Sequence, residues 1–123
     1  MKATEKMEQA ITNFVKGGDN SDTVMLDKVM HNDFRVMSNR FMGATGVIII
    51  DKQKYLANIK DGIFGGMPRV MPIENIDYSK AIAMAKLRLE NSENYFVSYN
   101  SLVLGIDNEW KLINNPAVVE LKK

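Results

Sequence analysis

The sequence predicts an α+β fold with helices in its first half and strands in its second. Apolar residues recur at helical spacing up to about residue 61 and alternate with period two from residue 81 onward. Glycine and proline punctuate the segments between. The chain has 123 residues, 46% of them hydrophobic and 25% charged. These values suit one globular domain, 1–123.

Met7, Ala10, Ile11, Phe14 and Val15 fall at i, i+3, i+4, i+7 and i+8, one apolar helical stripe. Gly17-Gly18 reads as the stop of that helix, since glycine accepts the left-handed C′ conformation. Asp19 to Asp22 supplies N-cap candidates for a second, shorter helix to about Met30, burying Val24, Met25, Leu26 and Val29. His31-Asn32-Asp33 ends it, and the alternation of Phe34, Val36 and Ser38 predicts a short strand. Val47 to Ile50 is β-branched throughout and reads as a buried strand or an extended lead-in segment. Asp51 caps a third helix to about Asp61, with Tyr55, Leu56 and Ile59 inward.

Arg69 to Asp77 reads as a strand, with Pro72 marking an edge or a bulge. Ala83, Ala85, Leu87 and Leu89 alternate with Met84, Lys86, Arg88 and Glu90. Asn91 to Asn94 is a polar hairpin loop, Tyr95 to Ile106 a long strand, Asp107-Asn108 a turn, and Trp110 to Leu121 a last strand interrupted by Pro116. Consecutive strands with short turns predict an antiparallel meander.

Charge and composition exclude several function classes. Lys plus Arg is 16 and Asp plus Glu 15, so the basic excess of a nucleic-acid or membrane-surface binder is absent. Cysteine is absent and there is one histidine, which removes thiolate metal sites, thiol nucleophiles and multi-histidine motifs. No metal or other cofactor is expected. The opening segment MKATEKMEQA is polar with no apolar leader core, and the expectation is a cytoplasmic protein.

The candidate site residues each have a plain structural reading beside the functional one. His31 reads as a helix C-terminal residue, and alternatively as a proton shuttle with Asp33 nearby. Tyr55 packs on the sheet, or aims its hydroxyl at a ligand carbonyl. Asn100 shares a face with Leu102 and Leu104, opposite Tyr99 and Val103, and an amide on an apolar face needs a partner from protein, water or ligand. Trp110, Leu112 and Asn114 alternate on one face of the last strand; Trp110 packs in the core or at an interface, or stacks on a flat heterocycle whose edge Asn114 meets. Nine methionines, among them Met30, Met37 and Met84, read first as adaptable core filling.

Several phrases resemble the nuclear transport factor two-like, or SnoaL-like, superfamily, and within it the putative lumazine-binding branch. They are Phe14-Val15-Lys16-Gly17-Gly18-Asp19, Met30-His31-Asn32-Asp33-Phe34, Ala81-Ile82-Ala83, and the ending Tyr99-Asn100-Ser101-Leu102-Val103-Leu104 with Asp107-Asn108-Glu109-Trp110-Lys111-Leu112. The resemblance implies a cone: a strongly curved antiparallel or mixed sheet wrapped around about three N-terminal helices. It also implies an internal cavity and a homodimer formed through the sheet. Ketosteroid isomerases of the superfamily use an aspartate base with tyrosine or aspartic acid donors. This chain carries Asn100 where relatives often carry an acidic residue.

The expected function is therefore binding of a small, mostly apolar or aromatic ligand, with Tyr55, Asn100, Trp110 and Asn114 in the pocket. One alternative is an isomerase- or dehydratase-type enzyme using Tyr55 or His31 with Asp33. The other is a non-catalytic dimerisation module.

Overall fold

The computed structural model describes residues 4–63, 65–70 and 73–122. Two helices, α1 (Glu5–Asp19) and α2 (Thr23–Val29), lead into strand β1 (Met30–Asn39). A short 3-10 turn and β2 (Val47–Asp51) follow, then α3 (Lys52–Lys60). The remainder is β3 (Ile73–Ser79), β4 (Ile82–Glu90), β5 (Asn94–Leu104) and β6 (Trp110–Leu121). The six strands form one sheet in the order β2-β1-β6-β5-β4-β3. Neighbours are antiparallel except β1 and β6, which run parallel. Pro72, expected at an edge or bulge, lies outside the described residues.

The helices bury the stripes that their spacing predicts. Met7, Ala10, Ile11, Phe14 and Val15 of α1 and Leu26 and Val29 of α2 join Ala83, Ala85, Leu87, Leu89, Leu102 and Leu112 of the sheet in one core. Asp22 and Asp51 cap α2 and α3, accepting the amides of Met25 and Lys54 at 3.0 and 2.8 Å. Val24, expected inside, is exposed on α2. Met30 is buried, but Met37 and Met84 are exposed and fill no core.

Four expectations are corrected. Gly17-Gly18 does not stop α1, which runs on to Asp19. A Cβ at Gly17 would lie 2.8 Å from Leu26 Cγ, so glycine here serves close helix packing rather than termination. Val47 to Ile50 is not buried: β2 is an edge strand with Val47 65% and Ile49 60% exposed. Arg69 is not in a strand; β3 begins at Ile73, and Arg69 turns back to Asp19. Finally, β6 continues through Pro116 without interruption. Its irregularity comes earlier, between the pairs Leu102–Leu112 and Ser101–Asn114, where Ile113 is one residue too many. Among the described residues, no helix is long and apolar enough to cross a membrane.

Candidate functional site

The inner face of the sheet is set by alternation along β5. Phe96, Ser98, Asn100 and Leu102 stand opposite Leu89, Leu87, Ala85 and Ala83 of β4, all on the helix-covered side. Across β6, Ser98 faces Ala117 and Leu102 faces Leu112. The extra residue at Ile113 shifts the alternation, so Asn114 stands opposite Ser101 and points to the outer face. Asn115 takes the inner position. The expectation that Trp110, Leu112 and Asn114 share a face therefore fails at the bulge.

Three polar side chains meet on this apolar face: Ser98, Asn100 and Asn115, all buried. Ser98 Oγ lies 2.9 Å from Asn115 Oδ1 and 3.3 Å from Asn100 Oδ1. A hydroxyl has one proton to give, and the nearer acceptor takes it. Asn100 is only 1% exposed, and its Nδ2 has no hydrogen-bond partner. A buried amide nitrogen without an acceptor is costly, and native proteins keep few of them.

Above the sheet, Tyr55 of α3 completes an aromatic trio. Its ring stacks on Phe14 at 5.8 Å and meets Phe34 edge-on at 5.6 Å. Phe14 and Phe34 are themselves 5.7 Å apart. Burial pushes the Tyr55 phenol up to about 12; the Arg69 guanidinium opposes the shift and Asp19 adds to it. The hydroxyl therefore stays protonated. It lies at the end of α1, where a Cβ on Gly18 would come within 3.8 Å of it.

The segment from Gly65 to Val70 covers this end of the interior. Gly66 donates its amide to Gly18 O at 2.9 Å, and Val70 bridges to Glu90 of β4. Gly65 has φ +81°, and a Cβ there would sit 2.5 Å from Gly18 O, so no other residue fits. Arg69 fastens the segment. Its backbone amide and Nε donate to the two oxygens of Asp19 at 3.0 and 2.6 Å, and Nη2 donates to Val15 O. Its guanidinium lies 5.2 Å from the Phe96 ring centroid. Periodicity offered no route to Arg69. The available signal was a single arginine in a glycine- and proline-rich segment, with an aspartate just past the apolar stripe of α1.

The predicted site residues thus separate. Tyr55 and Asn100 reach the interior, and Trp110 is half-buried against the core opposite Leu104. Asn114 does not reach it. His31 and Asp33 occupy an irregular stretch of β1, between its pairings at Met30 and Arg35 with β6. Asp33 is 80% exposed at its side chain, and His31 Nδ1 accepts the Asp33 amide at 3.0 Å. Two surface cavities, of about 340 Å³ beside Lys52 and about 600 Å³ beside Tyr95, touch none of the predicted residues. Among the described residues no cluster of three metal-ligating side chains occurs.

A family described as "Putative lumazine-binding" matches residues 2–116. The chain belongs to that family. Its fold is the nuclear transport factor two-like cone. A protein of that fold and unknown function from Shewanella baltica is 14% identical, with a TM-score of 0.82 and 98% of each chain covered. One from Silicibacter pomeroyi is 12% identical with the same score, over 98% of this chain and all of the other. A ketosteroid isomerase-like protein from Erwinia carotovora is 10% identical at a TM-score of 0.75, covering 97% and 98%. A comparison with curated proteins finds no match. In cone terms, the inner face of β5 and β6 is the concave wall, and the Arg69 segment closes over one end of the helices.

Proposed function

We propose that this member of the family binds a small, mostly apolar or aromatic molecule against the concave wall, as a homodimer formed through the sheet. The carrying observation is the fully buried Asn100 Nδ2 with no acceptor. It calls for a ligand that presents a carbonyl or ring-nitrogen acceptor and buries an apolar body against Ala83, Ala85 and the aromatic trio. Access requires the Gly65–Val70 segment to lift from Gly18 and Asp19, which leaves the core elements in place. Support for the dimer comes from the outer face, where Ile82, Met84, Tyr99 and Val118 are exposed together.

The enzyme alternative gains nothing from His31 and Asp33: the Asp33 side chain is 80% exposed, and His31 Nδ1 is taken by the Asp33 amide. A second reading has an observation in its favour. The packed trio of Phe14, Phe34 and Tyr55 suits a filled module that only associates through its sheet.

Thermal unfolding with lumazine-type heterocycles and steroid-like ketones separates the two. Ligand binding to the native state raises the midpoint with the logarithm of ligand concentration above Kd, by about 2.7 kcal/mol of stability at a hundredfold excess over Kd. The binding reading expects that response in the wild type and its loss in Asn100→Val. A screen of both compound classes without a concentration-dependent shift refutes it and leaves the filled module.

A further inference from the structure

We propose that the β2 edge pairs antiparallel with the β2 edge of a second copy of this chain, centred on Ile49. This stands apart from both the ligand reading and the outer-face association. The sheet has two edges, β2 and β3, and they are built differently. β3 carries Glu74 and Asp77, has a register shift between Ile73 and Asn75, and engages Glu74 with Lys86 and Arg88. Charge and irregularity of this kind blunt an edge against further pairing. β2 has neither. Val47, Ile48, Ile49 and Ile50 form an uncharged β-branched run paired in unbroken register with β1. Val47, Ile48 and Ile49 are 65%, 41% and 60% exposed, so both faces of the strand are apolar at its free side.

The hydrogen-bond parity fits self-pairing. Arg40 donates its amide to Gly46 O at 3.0 Å, which makes 40 and 46 a hydrogen-bonded pair. Bonded and non-bonded pairs alternate in an antiparallel ladder. Ser38–Ile48 and Val36–Ile50 are therefore the bonded pairs of β1 and β2. Val47 and Ile49 turn their N–H and C=O groups away from β1, toward the open edge, and Asp51 turns its N–H there, while its carbonyl opens the first turn of α3. A twofold axis through Ile49 sets Ile49 against Ile49, a pair that uses both groups of each residue, and Val47 against Asp51, where the Asp51 N–H meets the Val47 carbonyl. Ile48 then meets Ile50, and apolar side chains oppose apolar ones.

Charge points to the same occupant. Asp51 stands at one end of β2, and Arg40, paired to Gly46, at the other. Antiparallel pairing about Ile49 places the two Asp51 carboxylates at opposite ends of the contact, so they do not meet. A symmetric contact of this kind is self-complementary and closes on itself.

The test is the native mass by light scattering after size exclusion, from micromolar to millimolar protein. Ile49→Pro removes an outward N–H and leaves every β1–β2 bond, because that group does not face β1. Ile49→Lys keeps the backbone and opposes two like charges across the axis, so it serves if the proline variant fails to fold. Far-ultraviolet circular dichroism confirms folding of each. The wild type is expected above the mass of one chain, and both variants are expected at half the wild-type mass. A wild type that stays monomeric overturns the proposal, and so does a mass that the folded variants leave unchanged. Val118→Lys charges the outer face. If Val118→Lys alone halves the mass, the outer-face dimer stands and the edge pairing falls.

Discussion

Asn100→Val tests the concave wall most directly, because it separates stability from binding. Valine has a volume close to asparagine and suits a strand position opposite Ala85. The change removes a nitrogen that is fully buried without an acceptor. Relief of that desolvation is worth about 1–3 kcal/mol. The loss on the other side is small. Ser98 keeps its 2.9 Å bond to Asn115 and gives up only the 3.3 Å contact, about 0.5–1 kcal/mol. The net is a stabilisation of about 1.25 kcal/mol at the centre of a range from 0 to about 2.5 kcal/mol. With about 2.1 cal/mol/K of unfolding entropy per residue, a chain of 123 residues shifts by about 4 °C per kcal/mol. Calorimetry of the unliganded protein should therefore show Tm rising by about 5 °C, and by no more than about 10 °C. A fall of Tm would mean that Asn100 supports the wall through bonds of its own, and would refute its assignment as a ligand donor. A natural residue that weakens the empty protein is the signature of a site kept for something that fills it.

Arg69→Ala should cost about 2–3 kcal/mol in urea unfolding, because it leaves the Asp19 carboxylate largely buried with only the backbone amide bond. A cost under about 0.5 kcal/mol would show that the fastening is idle. Tyr55 holds its proton more tightly folded than unfolded, so its contribution is intact below pH 10.0 and is lost as pH rises toward about 12. A phenolate absorbance titration of the wild type should show a late step toward about 12, and Tyr55→Phe should remove it. At the acid end, the hydrogen bond and charge of Lys52 hold the Asp27 carboxyl below its usual 3.8, helped by Lys111 and opposed by slight burial. That contribution is present above pH 3.8 and disappears as pH falls through the lower folded value, so Lys52→Met should flatten the acid limb of the stability profile.

Much of the fold was legible because burial writes itself as periodicity. The α1 stripe and the alternation in β4 and β5 were read from spacing, and with them the shared face of Asn100, Leu102 and Leu104. What failed has a common cause: the deciding partner lies far away in the chain. Gly17 looks like a stop until Leu26 packs on it. Val47 to Ile50 looks buried, since composition alone does not tell a central strand from an edge. One surplus residue at Ile113 exchanges Asn114 for Asn115 at the wall, and no local pattern announces it. The Asp19–Arg69 pair spans fifty positions and follows no period.

The parallel pairing of β1 with β6 has a kinetic consequence. Ser38 donates to the carbonyl of Ala117, 79 positions further on. The meander β3 to β6 needs only short loops to form, whereas this one seam must close about two thirds of the chain. The cone is thus assembled as two local halves, helices and meander, and its shape is complete only when the seam between them shuts. Weakening that seam should speed opening far more than it slows collapse, making β1 and β6 the place where the molecule comes apart first.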